Sequence, residues 1–204
     1  MINRDSFDRI KQLHGGYASW AVWAAASDKP KSNMSDMRVL DPDTNHALLQ
    51  TLRNDVVMIG LNISRSFTEP FRNFHDPRPS ANDFKIRYAF ADTPYYGAYM
   101  TDIVKHVEMV ESKRLMDHLK ENPSVVGTNV ENFLEELVDL QCVRPMILAF
   151  GTDAHRLVAD NVPSKAYSRL VKLTHYSHRI SKEDYRQTVL EQIGEETIGA
   201  ADPL

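Results

Sequence analysis

A single cysteine, Cys142, stands in this chain of 204 residues, so no disulfide can close within it. A reducing, cytoplasmic setting is the expectation. No run of ~18 apolar residues is present to span a bilayer, and the opening MINRDSFDRI lacks the apolar segment of an export signal. No membrane partner is expected. The chain also lacks G-x-G-x-x-G, a Walker loop, a G-x-S-x-G elbow and C-x-x-C. Dinucleotide cofactors, serine-hydrolase chemistry and structural zinc therefore have no support in the sequence, and no cofactor is expected. His175 and His178 lack companion ligands at a recognised metal spacing.

The formal net charge is -4, which disfavours a protein that coats nucleic acid by neutralising many phosphates, while leaving room for a local basic groove. Repeats, low-complexity tracts and Gly/Ser linkers are missing too. One domain over 1–204 is expected, with a loose tail from Gly194 where the apolar period is lost.

What is present alternates. Four short apolar runs, VVMIGLN (56–62), AYMTDIVK (98–105), PMILAFG (145–151) and RLVKLTHY (169–176), are spaced too widely for hairpins. Most are continuously hydrophobic, as strands covered on both faces are. Helical patterns precede, separate and follow them: a first helix from Asp5 or Ser6 to Gly15-Gly16, then HALLQTLRND, NVENFLEELVDLQ, TDAHRLVADN and SKEDYRQTVLEQI. The alanine-rich YASWAVWAAAS reads as a short helix whose tryptophans pack inward, and the segment holding Pro77, Pro79 and Pro94 as a long irregular loop. The expected fold is α/β, a three-layer α/β/α sandwich around a four-stranded, mostly parallel sheet.

In such sheets ligands bind beyond the carboxyl ends of the strands. Asn62, Asp102, Gly151 and His175 fall there. In GLNIS, Gly60 permits close backbone approach, Asn62 offers a donor and an acceptor, and Ser64 adds a hydroxyl. In LTHYSHR, a histidine, a hydroxyl and a guanidinium follow a strand, a set able to meet negative charge. Between them FRNFHDPRPSANDFKIRY interleaves Phe71, Phe74, Phe84 and Tyr88 with cations, suiting a stacked base beside phosphate. FGTDA reads as scaffold, with Thr152 or Asp153 capping a helix.

Together these segments resemble the uracil-DNA glycosylase superfamily over Val56 to Arg179. GLNIS (60–64) is similar to its GLNP(G/S) motif, HYSHR (175–179) to HPS(P/R), AYMTDIVK to (Y/F)-(I/V)-T-N-x-V-K, and FGTDA to FGxxA. The resemblance implies extrusion of a nucleotide from DNA and hydrolysis of its sugar–base bond in base excision repair. It assigns Asn62 to positioning the water and His175 to donating to the base carbonyl as charge develops. It implies base binding by Gly60, Phe71 or Phe74, and Asp102, and phosphate binding by Ser64, Ser177 and Arg179. Ile63 and Tyr176 replace the family's prolines, and Asp102 replaces its base-reading asparagine. An ionised carboxylate only accepts hydrogen bonds and repels the uracil O4, so a base edge presenting donors suits this chain better. The alternative from another class is an inactive or repurposed protein that binds a nucleobase or nucleotide-like ligand on the same fold.

Overall fold

Val56 to Leu61 form an almost unbroken apolar run, and in the computed structural model, which describes residues 2–65 and 67–194, this run is the centre of a sheet covered on both faces. The elements in chain order are α1 (Arg4–His14), β1 (Ser19–Trp20), α2 (Leu48–Thr51), β2 (Arg53–Asn62), α3 (Asp83–Phe90), β3 (Ala98–Val104), α4 (Ser112–Glu121), α5 (Pro123–Asp139), β4 (Met146–Phe150), α6 (Thr152–Asn161), β5 (Arg169–Leu173) and α7 (Lys182–Ile193). The sheet has five strands in the order β1-β3-β2-β4-β5, all parallel except the antiparallel β1.

Side chains alternate across the sheet. Val57, Ile59, Tyr99 and Ile103 face one core with Phe7 of α1, Phe133 of α5 and Leu157 of α6. Met58, Met100, Leu148 and Phe150 face the other with Ile86 and Phe90 of α3 and Tyr185 and Val189 of α7. The chain steps from β2 to β3 in one direction and then returns past β2 to β4. Right-handed crossovers therefore send α3 to one face and α5 and α6 to the other. Helices cover both faces, as a three-layer arrangement requires, and connections part to opposite sides at the carboxyl end of β2. That is where a crevice opens.

The structure corrects several expectations. The sheet has a fifth strand because residues 17–27 are not helical: Ser19 and Trp20 pair antiparallel with Met100 and Tyr99. Residues 18–23 are buried throughout, and Trp20 meets Tyr99 edge-on at 5.1 Å. Pairing with a sheet edge outweighs the helix propensity of alanine. HALLQTLRND is helical only over Leu48–Thr51, because the Arg53 amide already donates to the Gly97 carbonyl at 2.8 Å and opens β2. The segment expected to be irregular contains α3, and α4 precedes α5 where no helix was foreseen. Gly151, with φ +89, occupies the cap of α6, and Thr152 is already helical. Of the expected tail, only Gly194 lies within the described residues; it ends α7 in the left-handed conformation.

Candidate functional site

At the end of β2, Gly60 and Asp102 are register partners on neighbouring strands. A Cβ at position 60 would collide with Asp102 Oδ1, so the glycine exists to admit that carboxyl. Asp102 is buried, and its Oδ2 accepts from Asn73 Nδ2 at 2.7 Å. Lys105 Nζ donates to the Asp102 backbone carbonyl at 2.8 Å. The same ammonium lies 3.3 Å from the Glu136 carboxylate on the opposite face of the strand.

Asn62 ends β2. Its Nδ2 donates to the carbonyls of Ile63, Val107 and Met109 at 3.1, 3.0 and 2.8 Å. Two amide hydrogens shared among three acceptors leave Oδ1 as the side chain's working atom.

Residues 71–76 form the remaining wall. Phe71 and Phe74 both have φ +63, a left-handed conformation that costs an aromatic residue about 1–3 kcal/mol and needs outside support. That support comes from the edge segment. Ser19 Oγ donates to the Phe71 carbonyl at 2.7 Å and Trp23 Nε1 to the Phe74 carbonyl at 3.1 Å. Phe71 itself turns away to pack on Phe7 at 5.4 Å. Phe74 turns toward Gly60 and lines a cavity of about 60 Å³ together with Asn62, Ser64, Asn73, Asp102 and Tyr176.

Two further carboxylates, Asp76 and Asp83, line the same cavity. Asp76 pairs with Arg78 and stays below the usual carboxylate range. Asp83, at the start of α3, accepts the Asp76 amide at 2.9 Å, but burial and the nearby Asp76 charge push it up to about 6. Burial pushes Asp102 further, to about 7, against the opposing Asn73 hydrogen bond and the Lys105 charge. Two carboxyls therefore titrate near neutrality in one cavity, an arrangement suited to holding and moving protons.

A scan of protein-family models and a search of curated proteins find no match to this chain. The case for function rests on the site.

Of the residues singled out in the sequence, Asn62, Ser64, Phe74 and Asp102 meet at this cavity over Gly60. His175, Ser177 and Arg179 are not part of its lining, where Tyr176 takes the place beside Asp102. His175 stacks on Tyr176 at 4.2 Å and packs over Gly151. Its Nδ1 accepts from the Ser177 amide at 3.1 Å and meets Ser177 Oγ at 2.8 Å. A backbone N–H can only donate, so Nδ1 carries no proton and the neutral ring bears it on Nε2. Burial lowers this histidine to about 4, so it is neutral at physiological pH. Ser177 here orients His175, while Arg179 is exposed. Sequence reasoning missed Asn73, Asp76, Asp83 and Tyr176 as site residues. Asp83 falls in a segment that reads as an irregular loop, and nothing in FRNFHDP marks which polar side chain turns inward. Among the described residues no cluster of His, Cys, Asp and Glu is arranged to hold a metal ion, and no helix is long and apolar enough to cross a membrane.

Proposed function

We propose that this protein is a uracil-DNA glycosylase-like hydrolase that cleaves the N-glycosidic bond of a base flipped out of DNA, on a three-layer sandwich of that superfamily's type. The observation that carries the reading is the meeting of Asn62, Phe74 and Asp102 at the carboxyl end of β2. These are the water-positioning, stacking and base-reading positions of the motifs this chain resembles. In this reading Asn62 Oδ1 orients a water. The water oxygen attacks the sugar C1′ as the C1′–N bond breaks, Asp83 accepts the water proton, and the leaving base takes up a proton from Asp102.

Asp102 also points to the kind of base. A carboxylic acid held protonated near neutrality offers one donor and one acceptor side by side. That edge pairs with the N3–H and O4 of uracil as well as with a ring nitrogen beside an amino group, as in cytosine or adenine, whereas the ionised form favours an edge of donors, so the base read depends on the Asp102 proton. The cavity of about 60 Å³ has room for roughly two waters at ~30 Å³ each. A base enters only if the wall yields.

A second reading, a binding protein without turnover, draws support from His175. Its imidazole is outside the cavity lining, so charge developing on a leaving base would lack that donor. The two readings part on base release from single- and double-stranded oligonucleotides carrying uracil, hypoxanthine, xanthine, mismatched thymine, cytosine or adenine. Release that is lost in Asn62→Ala and Asp102→Leu supports the hydrolase; binding without release from any substrate supports the second reading. If His175 acts on the transition state, His175→Ala lowers the rate by about 10²- to 10³-fold with little change in binding. Equal losses of rate and affinity would remove that role.

A further inference from the structure

A much larger cavity lies elsewhere. It measures about 680 Å³ and runs along the outer side of α3, between that helix, residues 23–30 and the start of α7. This is the size of a small-molecule site. Four aromatic side chains, Trp23, Phe84, Tyr88 and Tyr96, line it.

Arg87 is the informative residue. It lines the cavity, is only 7% exposed, and donates to three backbone carbonyls, Ala24 and Ser32 at 2.8 Å and Pro30 at 2.6 Å. Among the described residues no carboxylate lies within ion-pair distance of it. Buried charges in proteins are normally paired with an opposite charge, and burial without such a partner pulls this guanidinium below its ordinary range. A second cation, Lys182, stands at the mouth over the Tyr88 ring at 3.9 Å, paired with Glu183. The acids of the lining, Asp28 and Asp92, are both exposed. The cavity is therefore aromatic on its walls, positive at depth and mixed at its rim.

We propose that this cavity binds a planar aromatic ring carrying a phosphate, a nucleoside monophosphate, with the ring against the aromatic walls and the anion compensating Arg87 and Lys182. The site is distinct from the cavity at the end of β2, yet Trp23 joins them. Its indole forms part of this wall and its Nε1 holds the Phe74 carbonyl. Occupancy of one is thereby placed to alter the other. The same chemistry is available from a free nucleotide or from a nucleotide within a strand.

Titration calorimetry of the full chain with the adenosine, guanosine, cytidine and uridine monophosphates, their parent nucleosides and a short single-stranded oligonucleotide tests this. At least one monophosphate binds at concentrations below about 1 mM, and its nucleoside binds at least about tenfold more weakly. Tyr88→Ala and Lys182→Ala, both at the cavity mouth, each weaken binding about fivefold or more, and Ala91→Trp, which fills the cavity, abolishes it. Tighter binding of the oligonucleotide with the same sensitivity to Tyr88→Ala assigns the source to a strand; tighter binding of the mononucleotide assigns it to the free pool. No binding of any monophosphate, nucleosides binding as tightly as monophosphates, or binding lost in Asp102→Leu but retained in Tyr88→Ala and Lys182→Ala would each overturn the proposal.

Discussion

Two groups of buried acids lie on opposite faces of β3, and they are treated differently. On the α5 face, Glu136 is within 3.3 Å of Lys105 Nζ and accepts from Thr101 Oγ1 at 3.1 Å. Beside it Asp139 meets His14 Nε2 at 2.8 Å and Arg9 at 2.7 Å. On the α3 face, neither Asp83 nor Asp102 has a cation within ion-pair distance of its carboxyl among the described residues. The first group is a compensated network that ties α1 and α5 to the sheet. The second holds carboxyls whose easiest escape from burial is a proton, which is the condition of an acid–base site. The Thr101–Asp102 step alone switches between them, because successive strand residues point to opposite faces.

The largest effect should come from breaking the compensated group. Lys105 is fully buried, with its ammonium also over the rings of Tyr17 and Phe133. Lys105→Met leaves Glu136 buried without its partner and should cost about 3–5 kcal/mol of stability in denaturant unfolding. Adding Glu136→Leu should return most of that loss, since an apolar pair replaces an orphaned charge. A double variant no more stable than the single one would show that the network does more than neutralise charge.

The uncompensated group should show itself in pH. An aspartate in the unfolded chain ionises near 3.8, whereas Asp102 in the fold does so at about 7. Between those values the folded protein holds the extra proton, so this group's contribution to stability falls as pH rises through that window. Asp102→Asn keeps an acceptor for Asn73 and removes the titration. Its stability relative to the parent should rise by on the order of 2 to 3 kcal/mol from pH 5 to pH 8. A difference that stays flat would mean that Asp102 is ionised throughout.

The contrast between the two groups was only half legible in the sequence. Parallel strands announce themselves as runs such as VVMIG, because burial on both faces leaves no polar alternation, and their carboxyl ends marked Asn62 and Asp102 as candidates. The partners of those residues were hidden. Asn73 reaches the cavity between two left-handed phenylalanines, a backbone path that no local pattern of residues specifies, and Asp83 reaches it from the first turn of α3, in a segment that reads as a loop. In the same way YASWAVWAAAS has the composition of a helix, and only its pairing with Met100 and Tyr99 makes it an edge strand. His175 was placed by motif and lies one residue from the cavity lining, because the ring that turns inward is Tyr176.

The smallest expected effect isolates that edge segment. Trp23→Phe keeps most of the ring's bulk and its packing on His75, 5.4 Å away, but removes the indole N–H that holds the Phe74 carbonyl. The global cost should be about 1 kcal/mol, one hydrogen bond lost beside a backbone that is strained without it. The local consequence should be larger than the global one, since Phe74 sits between the indole and Gly60. With its carbonyl released, the φ +63 conformation loses its tether and the wall over Asp102 loosens. Amide exchange at residues 71–76 should then accelerate well beyond the change in overall stability, while β4 and β5 exchange in step with it. Uniform acceleration across the sheet would instead make Trp23 an ordinary core residue, and the edge strand a passive cover for the site.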